Sequence, residues 1–266
     1  MSLYLYDGSF DGLLTAIFEC FADRRQPTDI LNQETYQASL LEDLRPIQTD
    51  IAKAERVIKG IDARSDGRGG ELVYQLFLSE LTGIELRIYR LVELLVRQND
   101  PNILENYANP DVLYSAQVSK MISREVHRMH AFVRFQKAAN NIYYAVISPD
   151  FNVIPLIGDH FQRRYADQRW VIFDTRRHYG LYYDLTHTSF IDVESDILSG
   201  ATDAFVNASL DGLEDQYQQL WKQYFQSVTI QERRNIKLHL CHVPRRYWKY
   251  LVEKQVGRDG LLSRKN

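Results

Sequence analysis

Apolar and polar positions change period along the chain, and each change predicts a different kind of element. Leu3-Tyr-Leu-Tyr6 followed by Asp7-Gly8-Ser9 predicts a short strand ending in a tight turn. From there Phe10, Leu13, Leu14, Ile17, Phe18 and Phe21 fall at helical spacing, with Ser9 placed to cap the helix. A helix is predicted over 51–61, stopped by Asp66-Gly67-Arg68-Gly69-Gly70. A long amphipathic helix follows over about 72–98, closed by Asn99-Asp100-Pro101, and another over about 111–130 after Asn109-Pro110. Beyond His130 the period drops to two. Ala131-Phe-Val-Arg-Phe135 and Ile142-Tyr-Tyr-Ala-Val-Ile147 read as a hairpin, then a helix over about 153–165. Trp170-Val-Ile-Phe173 and Tyr179-Gly-Leu-Tyr-Tyr183 make a second strand pair joined through Asp174 to His178. Helices are expected over 210–225, 232–240 and 245–253.

Strands in adjacent pairs with helices between the pairs predict an α+β fold, a small antiparallel sheet built from hairpins packed by helices. The expected organisation is a single domain over 1–254 with a helical insertion at 23–120, and a frayed tail at 255–266.

Composition changes this picture little until charge is followed locally. The 266 residues carry a net charge of −3, with 45% hydrophobic and 25% charged residues, ordinary for a globular protein. No apolar run approaches the ~20 residues of a membrane span, and the N-terminus lacks a basic flank and apolar stretch, so a cytoplasmic protein without membrane attachment is expected. Cys20 and Cys241 are the two cysteines and lie far apart in sequence, so no cluster exists to hold iron–sulfur or structural zinc, and they read as buried free thiols. No cofactor is expected. Between Lys120 and Gly180 there are 10 Lys or Arg against 5 acids; from Leu181 to Leu220 there are 8 acids and no Lys or Arg; from Trp221 to Lys254 there are 8 basic residues against 2 acidic. Local field rather than net charge steers a polyanion, so a basic face with the acidic segment folded away is expected.

The basic stretches pair arginines with rings. His160-Phe-Gln-Arg163-Arg164-Tyr165 leads to Arg169-Trp170. Arg176-Arg177-His178-Tyr179 follows, and Arg245-Arg246-Tyr247-Trp248-Lys249-Tyr250 lies near the end. Guanidinium groups grip phosphates in bidentate fashion and rings stack on bases. The candidate nucleic-acid contacts are therefore Arg163, Arg164, Arg169, Arg176, Arg177, Tyr179, Arg233, Arg234, Arg245, Arg246 and Trp248, expected to converge on one electropositive platform. The 17 tyrosines fit amphipathic surfaces of this kind, although strand-rich proteins use them too.

Catalytic candidates are weaker. His127 and His130 stand three apart in Glu125-Val-His127-Arg-Met-His130, which does not match the HExxH spacing; no metal is expected. A hydrogen-bonded histidine pair at a helix end and a phosphate contact beside Arg124 and Arg128 both stay open. With His160, His178 and Asp174 these form the acid–base candidates, and no nucleophile can be named. Asp7-Gly8-Ser9-Phe10-Asp11-Gly12 has neither phosphate-loop spacing and reads as a structural turn.

Several landmarks in order resemble a bacterial family of unknown biochemical function that carries the label DNA metabolism or DNA repair. They are Tyr6-Asp-Gly-Ser-Phe-Asp-Gly-Leu-Leu14, Glu125 to Phe135, Pro155-Leu-Ile-Gly-Asp-His-Phe161, Asp167-Gln-Arg-Trp170, Asp174 to Asp184, Glu232-Arg-Arg-Asn235 and Pro244-Arg-Arg-Tyr-Trp248. Agreement is weaker through 23–120, which fits a variable helical region. Members of that family stand beside a radical-SAM protein linked to DNA modification or repair, or are fused to a uracil-DNA glycosylase-like domain. This chain shows neither a CxxxCxxC cluster nor an added glycosylase domain, so it looks like the stand-alone form, and the resemblance implies DNA as ligand and the radical-SAM protein as partner. It supplies no catalytic residues. The expected function is a nucleic-acid-binding accessory to that partner. The alternatives are a DNA-acting enzyme (glycosylase, lyase or nuclease) using a His/Asp site, and a protein-interaction scaffold docking through the acidic 181–220 segment.

Overall fold

The computed structural model describes residues 2–34, 36, 43–98, 100, 102–137, 142–192 and 243–251. The helices expected over 210–225 and 232–240, most of the acidic segment and the 255–266 tail lie outside the described residues. The class is α+β, and the chain divides into two compact units, Met1–Ser123 and Arg124–Asn266.

The first unit is built on a three-stranded parallel sheet in the order β2-β1-β3, where β1 is Ser2–Tyr6, β2 is Pro27–Asn32 and β3 is Asp43–Pro46. All five residues of the central β1 are buried, as expected of a parallel strand covered on both faces. Helix α1 (Phe10–Ala22) follows, capped by Ser9, whose hydroxyl accepts the Gly12 N–H at 2.9 Å. Asp7 organises the turn between them. Its carboxylate accepts the Ser9 N–H and hydroxyl at 2.9 and 2.6 Å and the Thr49 hydroxyl at 2.7 Å. A Cβ on Gly12 would land 2.1 Å from the Asp7 Oδ1, so only glycine lets the carboxylate close over the helix start. The anticipated structural turn is what stands there.

Helices α2 (Ile51–Asp62), α3 (Gly69–Leu78) and α4 (Ile84–Arg97) cover the sheet, and their apolar faces share one core with α1 through Leu13, Ile17, Ile61, Leu76, Ile88 and Leu91. The long helix expected over 72–98 is divided. Ser79 turns its hydroxyl onto the Leu76 carbonyl at 2.6 Å, and Glu80 and Gly83 take positive φ angles of 52° and 74°. A serine donating to the carbonyl three residues back and a left-handed glycine end one helix and start the next. The range read as helical also carries β2 and β3. Cys20 is a buried free thiol in this core, its pKa pushed up to about 12 by burial.

Helix α5 (Pro110–Phe132) leads into the second unit, a five-stranded sheet in the order β4-β5-β6-β7-β8. Its strands are β4 (Gln136–Lys137), β5 (Tyr143–Ile147), β6 (Trp170–Asp174), β7 (Tyr179–Tyr183) and β8 (Thr188–Asp192). The β6–β7 hairpin forms as expected, whereas the strand expected at 131–135 does not: α5 runs on through Phe132 and only the two-residue β4 pairs with β5. Strands β5 and β6 run parallel because helix α6 (Ile154–Arg164) carries the chain back across the sheet between them. Strand β8, which the sequence did not suggest, pairs antiparallel with β7 through a turn in which Asp184 accepts the Thr186 and His187 N–H groups, each at 2.8 Å. Close packing fixes α6 on the sheet: a Cβ on Gly158 would meet Leu181 at 2.8 Å, and one on Gly180 would meet the Ile172 carbonyl at 2.5 Å. Trp170 is wholly buried, stacked on Tyr183 at 5.4 Å and walled by Phe135 and Phe161.

Candidate nucleic-acid interface

The parallel pairing of β5 and β6 sets Ile147 beside Asp174, so the segments leaving both strands emerge at one edge of the sheet. Ser148-Pro149-Asp150 leaves β5, and the Asp174–His178 turn leaves β6. Asp174 is fully buried. Its oxygens accept the Arg176 N–H and the Arg177 guanidinium, each at 2.8 Å, and His178, at φ 59°, closes the turn by donating to the Asp174 carbonyl. Arg177 also donates to the carbonyls of Pro149 and Asp150 at 3.3 and 3.1 Å, and Arg176 to that of Asp150 at 2.9 Å.

Asp150 faces a second set of partners. Its carboxylate pairs with Arg246 at 2.7 Å, and its N–H donates to Glu125 at 3.0 Å. Glu125, a buried carboxylate on α5, also accepts from Arg246 at 3.0 Å, from Arg128 at 3.4 Å and from the Tyr247 hydroxyl. Burial first, then the Glu125 hydrogen bond and charge, push the Tyr247 phenol up, keeping it a proton donor. Residues 243–251 are thereby fastened to α5 by a short 3₁₀ turn (Arg245–Tyr250) with Tyr247 and Leu251 buried.

Two of the three arginine runs therefore meet, at the Pro149–Asp150 segment, but as ion-paired fixtures. Arg177 has a side-chain exposure of 9% and pairs with Asp174; Arg246 pairs with Glu125 and Asp150. The third run, Arg163, Arg164 and Arg169, precedes β6, while the Asp174 turn follows it. The two are separated by the five residues of that strand, roughly 15 Å at the rise of an extended chain. The expected single electropositive platform is thus corrected to two separate edges, because the runs flank opposite ends of one strand.

Arg163, Arg164, Arg169, Arg176 and Arg245 are exposed, and among the described residues none has a carboxylate within ion-pair reach. Arg164 lies over the Tyr165 ring at 5.7 Å. Tyr179 donates to Asn152 and meets Phe190, while the Trp248 indole donates to the Val243 carbonyl at 3.0 Å. Arg233, Arg234 and Cys241 lie outside the described residues.

The histidines sort differently from the sequence pairing. His130 stacks not on His127 but on His160 of α6, ring centroids 3.9 Å apart and planes within 14°, and both Nε2 atoms are buried without a hydrogen-bond partner among the described residues. His127 and His178 are exposed. Among the described residues no hydrogen bond or ring contact joins the three helical histidines to Asp174 and His178, and no three His, Cys, Asp or Glu side chains gather as metal ligands. Likewise no described helix is long and apolar enough to cross a membrane.

Burial, then the charges of His160 and His127, push His130 down from the ordinary 6.5 to about 4. The unfolded chain therefore binds this proton first, so the neutral ring's contribution to stability is full above about pH 6.5 and is lost as the pH falls towards 4. Thermal melts between pH 7 and 4 are expected to decline less steeply for His130→Phe than for wild type; parallel declines would refute this.

The polar centre at Glu125 and Asp174 was not anticipated as such. Glu125 and Asp150 were not among the candidates, and only the Asp174–Arg177 spacing within one turn signalled it. A comparison with curated proteins finds no match. The family model for a domain of unknown function, DUF4130, matches residues 82–253, leaving the β1–α1 opening outside and taking in every candidate nucleic-acid contact. The chain therefore belongs to the DUF4130 family.

Proposed function

We propose that this protein is a nucleic-acid-binding accessory that presents DNA to a radical-SAM partner. One observation carries the binding: the described candidate arginines divide into a pair locked onto buried carboxylates and five exposed ones with no carboxylate in ion-pair reach among the described residues. Arg177 and Arg246 hold the fold through ion pairs, whereas the Arg163 and Arg176 guanidinium groups donate to the main-chain carbonyls of Asp159 and Asp150. Arg163, Arg164 and Arg169 crowd the seven-residue stretch between the last turn of α6 and β6, a spacing suited to a flexible phosphate backbone, with Tyr165 alongside for stacking. The DNA and partner assignments rest on the resemblance of the sequence landmarks.

Electrophoretic shifts with a single-stranded oligonucleotide across a salt series test the reading. Binding is expected to weaken steeply with salt, and replacing Arg163, Arg164 and Arg169 together by alanine should lower the log–log slope by about 2, as three lost phosphate contacts require. An unchanged slope and affinity would overturn the assignment. Adding the radical-SAM protein to the same assay should give a ternary species; two independent complexes would remove the partnership.

A further inference from the structure

We propose that the stacked His130–His160 pair couples phosphate binding at the α5–α6 face to proton uptake, so that a nucleic-acid backbone and a proton bind together. This rests on the reading of Arg163 and Arg164 as phosphate contacts. The pair forms the polar border of an aromatic wall: Phe161 meets the His130 and His160 rings edge-on at 6.0 and 5.2 Å, and Phe135, Tyr165 and Trp170 continue behind it. Both Nε2 atoms are buried with no hydrogen-bond partner among the described residues, an arrangement suited to neutral rings.

A shared metal ion does not fit. Imidazole lone pairs lie in the ring planes, and planes within 14° of each other aim them side by side rather than at one point. Protonation does fit a role, because of what surrounds the pair. The charges acting on the two rings are His127 from α5 and Arg163 and Arg164 from α6, all cationic or able to become so. Asp159, next to His160, is exposed and is not among them; Glu125, further back on α5, is committed to Arg246 and Tyr247. An imidazolium formed here has no counterion among the described residues. A phosphate held by Arg163 and Arg164 supplies the missing negative charge, so proton and phosphate each favour the other, by the same factor in both directions.

One proton taken up per binding event makes affinity rise up to about tenfold per unit fall in pH. Anisotropy titrations of a labelled single-stranded oligonucleotide at constant ionic strength are expected to show a rise of at least about threefold per unit between pH 6.5 and 5. The His130→Phe, His160→Phe double variant should keep the affinity and salt slope at pH 7.5 and lose most of that rise. Equal pH dependence in variant and wild type would overturn the coupling while leaving phosphate binding standing. A second measurement needs neither the variant nor an oligonucleotide. Imidazole proton resonances of the wild-type protein, titrated with and without inorganic phosphate, should show the His130 or His160 midpoint moving upward with phosphate. Unmoved midpoints would overturn the proposal, whereas upward movement without oligonucleotide binding would support it and remove the nucleic-acid reading alone.

Discussion

Glu125→Ala is expected to destabilise the second unit by about 3–5 kcal/mol, the usual cost of removing one partner from a buried ionic network. Four donors lose the Glu125 carboxylate together: the Tyr247 hydroxyl, the Arg128 guanidinium, the Asp150 N–H and the Arg246 guanidinium, which keeps its pair with Asp150. Tyr247→Phe removes only one of them and should cost about 1–2 kcal/mol, and the double variant should fall short of the sum, since both act on the same group. Denaturant unfolding followed by tryptophan fluorescence is the suitable measurement, because all three tryptophans, Trp170, Trp221 and Trp248, fall within Arg124–Asn266. A loss below about 1 kcal/mol would mean that the carboxylate is not the anchor described.

Asp174→Ala is expected to have an effect of similar size, about 3–5 kcal/mol, because it leaves Arg177 charged with only 9% of its side chain exposed and deprives the Arg176 N–H of its acceptor. Arg177→Met in the same background should recover part of the loss by removing a buried charge that has lost the Asp174 carboxylate, which an independent pair of sites would not do. The same fluorescence-detected unfolding checks both. If Asp174 served chemistry instead, as an orienting group for His178, its removal would spare stability, as trimming a strained functional site commonly does.

What could be read from the sequence tracks the distance over which each element is decided. The β1–turn–α1 opening was legible because Ser9, Gly12 and the apolar residues from Phe10 to Phe21 fix it locally. Strands β2 and β3 were not: Pro27-Thr-Asp-Ile-Leu-Asn and Asp43-Leu-Arg-Pro are edge strands of mixed polarity, and they exist because β1 offers both its sides. The parallel run of β5 and β6 was hidden because two strong hairpin signals flank α6, and only the crossover reveals the direction. At the candidate interface, the arginines were identified from their ring-rich surroundings, but their partners were not. Glu125 and Arg246 are 121 positions apart, and no local pattern connects them. His130 was matched with His127 because they share a helix turn, whereas its ring lies on a residue from another helix.

The bond between Glu125 and Tyr247 spans 122 positions of chain. A ribosome adding roughly 5–20 residues per second takes on the order of 6–24 s to cover that interval. Throughout it the carboxylate has emerged while its tyrosine and arginine have not, so the nascent polypeptide carries an unfinished ionic centre. Vectorial synthesis therefore leaves the locking of this unit to one of its last-made segments, and a product cut short before position 245 lacks the fastening altogether.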